Sequence, residues 1–253
     1  MFFTPEGAAV TILTMRTKTI LSLTVVIALS VFAGRALADA TEGGKSLITR
    51  DMSGWKLKDA NNTQVWKIVS DVKLDSDPKK LVASTDAVGD APVLFRQPVE
   101  HGTDLYTEQE FGDCEVHVEF VVPKNSNSGV YLMGRYEVQV LDSFGKPDNK
   151  LGTGDVGSVY NTSKPSSNAS KAPGEWQSFD IVFQAPRFEN GKKTQNAKFI
   201  SVKLNGKEVN SNIEVKGGTG GQLYNEEAEK GPLLLQGDHG IVGFRNIRVK
   251  ETK

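Results

Sequence analysis

Residues 127–143 read Asn127-Ser128-Gly129-Val130-Tyr131-Leu132-Met133-Gly134-Arg135-Tyr136-Glu137-Val138-Gln139-Val140-Leu141-Asp142-Ser143. The stretch opens in turn chemistry, since Asn and Ser compete for local hydrogen bonds and Gly tolerates positive φ. From Arg135 onward the residues alternate, which predicts a strand. Tyr136, Val138 and Val140 fall on one face; Arg135, Glu137 and Gln139 fall on the other. Side chains two apart on a strand lie about 6–7 Å from each other. One face therefore carries a cation, a carboxylate and an amide in a row. Such a row suits a cleft that holds a polyhydroxylated ligand and moves a proton. Alternation alone also describes the wet face of any half-buried strand.

The same period recurs on both sides. Phe111 to Val122 reads as a strand, with Cys114, Val116, Val118 and Phe120 alternating against Glu115, His117 and Glu119. Trp176 to Gln184 is another, with Phe179, Ile181 and Phe183 on one face. Phe199 to Leu204 runs into Asn205-Gly206, a strong hairpin signal, and Lys207-Glu208-Val209 returns from it. Short strand patterns at 55–57, 65–69, 93–95 and 104–107 precede the central stretch, and 233–236 and 242–249 close the chain. Helical periodicity is missing over this span. Many short strands separated by turn residues predict an all-β, two-sheet antiparallel sandwich. Residues 145–172 form a long connection rich in Gly, Ser, Asn and Pro, and a loop of that length inside a domain is usually functional. Lys216 to Gly221 reads as a flexible glycine-rich loop, because no helix follows and the Lys-Ser/Thr of a phosphate loop is missing.

With 253 residues and a formal net charge of -1, the chain lacks the basic excess of a nucleic-acid binder. Its single cysteine, Cys114, excludes an intrachain disulfide and reads as a buried thiol. Met15 suits a translation start. Arg16 and Lys18 form a positive segment, Ile20 to Ala33 an apolar one, and Ala36-Leu37-Ala38 a cleavage site. Residues 1–38 are therefore expected to be a leader containing a secretory signal peptide, and residues 39–253 a single β-sandwich domain. The apolar run is short for a membrane span. The mature protein is thus expected to be periplasmic or secreted from a bacterium, with no membrane anchor after cleavage. Its poverty in cysteine suits that compartment.

Several motifs together resemble the 3-keto-disaccharide hydrolase domain family, long known as domain of unknown function 1080. They are Asn127-Ser128-Gly129-Val130-Tyr131 followed by Tyr136-Glu137-Val138-Gln139-Val140-Leu141-Asp142, Ser53-Gly54-Trp55, Thr107 to Cys114, and Gly174-Glu175-Trp176. Leu235-Gln236-Gly237-Asp238-His239-Gly240 and Val242 to Ile247 complete the set. The resemblance spans the whole mature chain. It implies a jelly roll of the concanavalin A-like lectin and glucanase type, with the strand at Arg135 expected near the middle of a concave ligand sheet, and an activity on sugars already oxidised at carbon 3. A ketone there acidifies the C2 proton, so a base can remove it, the C1 substituent leaves by β-elimination, and water adds afterwards. That chemistry needs a base, a stabiliser for the enolate and an acid for the leaving oxygen.

Glu137 is the candidate base or acid. Arg135 is expected to stabilise the enolate oxygen or to steer Glu137, and a carboxylate beside a guanidinium stays ionised, which favours the base role. His117 and His239 are the candidate acids. His117 lies between Glu115 and Glu119 on its strand, where it is a proton shuttle, a metal ligand with Glu119, or simply an exposed histidine. Gln139, Asp142, Glu119, Gln236 and Arg245 are candidate sugar contacts. Tyr160, in the long loop, is a candidate stacking ring, whereas Trp176 reads as core. No cofactor is expected. A divalent metal is left open, although the sequence has neither an HxxxH motif nor a cysteine cluster. A carbohydrate is the expected partner. The alternative function is a non-catalytic carbohydrate-binding jelly-roll module, but no separate catalytic domain for such a module to serve is expected.

Overall fold

The computed structural model describes residues 1–2, 44–84, 86–89 and 91–252. The chain divides into two units, Met1–Ala38 and Asp39–Lys253. The expected signal peptide lies outside the described residues. Among those described, no helix is long and apolar enough to cross a membrane.

The strands, in chain order, begin with β1 (Lys45–Ser46), β2 (Trp55–Leu57), β3 (Trp66–Val69), β4 (Val72–Leu74), β5 (Leu81–Ala83) and β6 (Val93–Arg96). The middle group is β7 (Leu105–Phe111), β8 (Cys114–Val121), β9 (Asn127–Leu132), β10 (Tyr136–Leu141), β11 (Gln177–Gln184) and β12 (Arg187–Glu189). The last are β13 (Lys192–Gln195), β14 (Ala197–Leu204), β15 (Lys207–Val215), β16 (Gly231–Leu235) and β17 (Val242–Glu251). An eight-stranded sheet runs β15-β14-β11-β8-β17-β6-β3, with β1 added beside β17. A five-stranded sheet runs β10-β9-β16-β7-β2, and β4-β5 and β12-β13 form two-stranded ribbons. This is the antiparallel sandwich that the alternating pattern predicts, in the jelly-roll form that the resemblance implies.

The core lies between the two large sheets. Val116, Val118, Phe120, Phe179, Ile181 and Phe183 face it from one side, and Val130, Leu132, Tyr136, Val138, Val140 and Leu235 from the other. Tyr136 and Phe183 meet with ring centroids 5.5 Å apart. Each such buried side chain contributes about 1.5–3 kcal/mol. This demand fixes the register of the strands, because a slip of one residue would turn Glu137 and Gln139 into the core. The hairpin at Asn205-Gly206 forms as predicted, with φ of 52° and 80° and Leu204 paired to Lys207.

Two local expectations are corrected. Asn127-Ser128-Gly129 is strand β9 rather than a turn. The turn comes later, at Met133 and Gly134, both with positive φ (55° and 62°), and the Arg135 N–H donates to the Leu132 carbonyl at 3.1 Å. Arg135 therefore lies in the turn rather than on the strand. Second, β10 is not central. It is the last strand of its sheet, extended only by residues 157–160 of the long loop, through a bridge from Val138 to Val159.

Candidate functional site

The β9-β10 hairpin sets Glu137 opposite Tyr131 and Gln139 opposite Gly129, all on the sheet face turned away from the core. β16 lies on the other side of β9, and the Gln236 N–H just beyond it donates to the Gly129 carbonyl at 2.9 Å. The outward side chains of three neighbouring segments thus share one floor. Loops build the walls. The Tyr160 N–H donates to the Glu137 carbonyl at 3.0 Å, and the Glu137 N–H donates to the Thr219 hydroxyl at 3.0 Å. The result is a cavity of about 250 Å³ lined by Asn127, Tyr131, Glu137, Gln139, Tyr160, Asn161, Gly220, Gly221, Gln236 and His239. Its volume is below the range of about 300–1,000 Å³ typical for drug-sized ligands, so it suits a group the size of a single ring.

Glu137 dominates the electrostatics. Its side chain is buried, with the residue 2% exposed. Burial pushes its carboxyl up from 4.5 to about 7. A hydrogen bond from the Tyr131 hydroxyl (2.8 Å to Oε2) works against that rise, while the charges of Asp238 and Asp104 add to it. Burial and the neighbouring Glu137 charge push the Tyr131 hydroxyl upward in turn, so it remains a donor. Gln236 Nε2 donates to the same hydroxyl oxygen at 3.3 Å. Gly129 gives the carboxylate its place, because a Cβ there would lie 2.3 Å from Glu137 Oε1. That close approach, rather than a turn, accounts for the glycine in the Asn-Ser-Gly-Val-Tyr motif.

The rest of the cavity is short of partners. Five buried side-chain atoms among the described residues have no hydrogen-bond partner, and three of them belong to this cavity: Asn127 Oδ1, Gln139 Oε1 and Gln236 Oε1. An unpaired buried acceptor costs about 1–3 kcal/mol, so three in one cavity mark a place built to be filled by hydrogen-bond donors. Sugar hydroxyls supply such donors. A larger groove of about 400 Å³ beside the β12-β13 ribbon is lined by Gln184, Lys193, Lys198 and Glu214 among others. None of its residues has an orphaned buried atom.

Of the residues proposed from sequence, Glu137, Gln139, Tyr160, Gln236 and His239 come together here. His239 pairs through Nδ1 with Asp238, and its side chain is half exposed at the rim. The expected Arg135–Glu137 pair does not form. The Arg135 guanidinium donates to the carbonyls of Glu226 (2.6 Å) and Met133 (2.7 Å) and stacks on Tyr224. Glu137 is consequently governed by burial, not by a neighbouring cation. Asp142 is also absent from the cavity lining, since its carboxylate accepts the backbone N–H of Asn125 (2.9 Å) and of Phe144 (3.3 Å).

His117, Glu119 and Arg245 sit on the eight-stranded sheet instead, on its outer face. His117 Nδ1 lies 2.7 Å from Asp180 Oδ1. Glu119 accepts from Arg245 (2.7 Å) and Asn246 (2.6 Å). The Arg245 guanidinium covers Trp176, 3.9 Å from the ring centroid, and the half-buried ring packs on the smaller core cluster of Val72, Leu81, Val93, Phe95 and Val121. Burial draws His117 down, but Asp180 and Glu119 outweigh it and hold the imidazole up at about 9. Glu119 is likewise raised by burial and then pulled to about 2 by His117, Asn246 and Arg245. Among the described residues no group of three or more His, Cys, Asp or Glu side chains is gathered as a metal ion would need.

Sequence reasoning missed Tyr131, Asn127, Asn161 and the Gly220-Gly221 wall. Placing the turn at Met133-Gly134 would have set Tyr131 opposite Glu137. For the other three the sequence offers only loop and turn residues.

The family described as the 3-keto-alpha-glucoside-1,2-lyase-like domain matches residues 43–250. No curated protein matches the chain. Among solved structures the chain is similar to a candidate glycosyl hydrolase from Parabacteroides distasonis, at 30% identity and a TM-score of 0.60, covering 83% of this chain and 84% of that one. A second candidate glycosyl hydrolase from the same organism matches at 21% identity and a TM-score of 0.51, covering 82% and 98%. A third matches at 18% and 0.52, covering 81% and 91%. The last two bear on the fold alone.

Proposed function

Because this chain belongs to the 3-keto-alpha-glucoside-1,2-lyase-like domain family and is carbohydrate-active, we propose that it cleaves 3-keto-glycosides with Glu137 as the base. The observation that carries this reading is a buried carboxyl held at about 7 in a ring-sized cavity with three unpaired amide oxygens. A base whose pKa lies near the working pH combines a useful ionised fraction with a real appetite for protons.

In this reading the sugar's hydroxyls donate to Asn127, Gln139 and Gln236. Glu137 takes the C2 proton, and the C–H electrons move toward the C3 ketone as an enolate. The C1–O bond then breaks as the C1=C2 double bond forms, and the leaving oxygen takes a proton. His239, oriented by Asp238 at the rim, supports that last transfer. Water added across the double bond completes a net hydrolysis; release before hydration makes the outcome that of a lyase. Tyr131 fixes Glu137 Oε2 and leaves Oε1, above Gly129, to face the substrate.

The test is incubation of the protein with a 3-keto-disaccharide while released monosaccharide is followed. Wild type should cleave it, with kcat/KM rising as pH passes through about 7. Glu137→Gln should lose about 10²–10⁴ in rate. Tight binding of an intact disaccharide with no cleavage at any pH would instead identify a binding module.

A further inference from the structure

Residues 216–230 carry neither helix nor strand, yet they are tied down at many points, and several of the ties converge on one residue. The Arg135 carbonyl accepts the Thr219 N–H at 3.1 Å. Its guanidinium donates through Nε to the Glu226 carbonyl at 2.6 Å and lies 5.0 Å from the centroid of the Tyr224 ring. A further Nη1 bond to the Met133 carbonyl fixes the fork in the hairpin turn, and the residue is only 6% exposed. Its neighbour Tyr136 adds a bond from its hydroxyl to Glu227 Oε1 at 2.6 Å. Between these anchors the segment passes over the cavity. Thr219 accepts the Glu137 N–H, Gly220 and Gly221 line the wall, and a Cβ on Gly221 would lie 3.0 Å from the Tyr131 hydroxyl. The segment read from sequence as a flexible loop is a strap over the carboxylate.

We propose that Arg135 is a positioning residue that holds the 219–226 strap as a wall over the Glu137 cavity, and that this wall, not charge on the substrate, is its contribution. The assignment rests on the reading of the cavity as the reactive site. A guanidinium suits the task. It is planar, donates in two directions at once and stacks on an aromatic ring, none of which an ammonium reproduces. The strap keeps water from Glu137, and it is water exclusion that raises a buried carboxyl. The other groups facing Glu137 are Tyr131 from β9, Tyr160 from the long loop, Asp104 with its Lys58 partner, and Asp238 and His239 at the rim. None of them is bonded to Arg135, although Lys58 also donates to the Gly221 carbonyl of the strap at 3.4 Å.

The two roles for Arg135 predict opposite signs. If it acted on Glu137 through its charge, removing the cation would raise the carboxyl. If it acts through the strap, removal admits water and lowers the carboxyl toward 4.5. The measurement is a ¹³C NMR titration of the Glu137 side-chain carboxyl in the full chain without substrate, with the signal assigned by its loss in Glu137→Gln. We expect wild type to titrate near about 7 and Arg135→Ala at least about one pH unit lower. Arg135→Lys, which keeps the charge, should move the same way and not rescue. With a 3-keto-glycoside, KM should rise by about 10-fold, more than kcat falls, as expected when bound-state contacts rather than the chemical step are lost. Titration at or above the wild-type value in Arg135→Ala, or full rescue by Lys, overturns the proposal. Should Arg135→Ala fail to fold, Tyr224→Ala decides: the residue is 40% exposed, its loss takes from the strap the ring on which the guanidinium stacks, and an unshifted carboxyl there overturns the proposal equally. The titration needs no turnover, so it stands even if the protein leaves 3-keto-glycosides intact.

Discussion

Replacing Glu137 with Gln should make the folded protein more stable at neutral pH while removing its activity, and the size of the first effect follows from the site. Burial raises the carboxyl from 4.5 to about 7. At about 1.4 kcal/mol per pH unit, that rise amounts to about 3 kcal/mol. The direction follows from proton counting. Between the two values the folded chain keeps its proton and the unfolded chain has lost it, so wild-type stability falls as pH rises through this window. The cost is absent below 4.5 and complete above about 7. A glutamine in the same place has no proton to lose, and its carbonyl still accepts from Tyr131. All other titrating groups are common to both proteins, so the difference in stability isolates this one. Urea unfolding followed by tryptophan fluorescence, from about pH 4 to about pH 8, should show the variant gaining up to about 3 kcal/mol on wild type across the window. Over the same range its turnover should stay about 10²–10⁴ below wild type. A stability difference that does not change with pH would show that Glu137 titrates like an exposed carboxylate, and the case for a poised base would fall with it.

Gly129→Ala places a methyl 2.3 Å from Glu137 Oε1; we expect a loss of about 1–3 kcal/mol from overpacking and at least about a 10-fold loss in kcat/KM, and a variant with normal melting and normal kinetics would contradict the close approach. His117 is held up at about 9 against an ordinary 6.5, so its contribution is complete below 6.5 and lost as pH rises through 9. His117→Gln should therefore be less stable than wild type at about pH 6 and nearly equal above about pH 10, as read by denaturant midpoints. For export, amino-terminal sequencing of protein recovered from the periplasm should begin at Asp39, and an uncleaved chain in the membrane fraction would count against the signal peptide.

The sandwich was legible because its signal is repeated along the chain. Strands β8, β10 and β11 carry period-two alternation, and Asn205-Gly206 marks a hairpin with local chemistry alone. The site was legible only in part. Glu137 and Gln139 follow from alternation within one strand, and Gln236 and His239 from the resemblance. Arg135 was misplaced by extending that alternation one residue too far, into a turn whose position depends on Met133 adopting positive φ (55°). Positive φ is uncommon outside glycine and asparagine, so the sequence gives little warning. Gly129 misled in the opposite direction: a residue that usually marks a turn is here a strand residue, kept bare by a carboxylate from the neighbouring strand.

The outer faces of the two sheets present the same signature in sequence, a polar row alternating with a buried one. On β8 the row holds His117 and Glu119, and on β10 it holds Glu137 and Gln139. Periodicity cannot rank them. What separates them is whether each group has found a partner. His117 is met by Asp180, and Glu119 by Arg245 and Asn246, so both charges of that row are answered, and the network ties β8, β11 and β17 together. Adding a ligand there would first require breaking bonds already made. On β10 the amide oxygen of Gln139 has no partner, the same holds for Asn127 and Gln236 beside it, and Glu137 is pushed toward neutrality for want of a cation. A fold tolerates such unmet groups where a ligand completes them. Because partners come from strands distant in sequence, this distinction belongs to the three-dimensional arrangement. It is the ground for proposing the chemistry in the cavity beside residues 216–230 and a structural task for the His117 row.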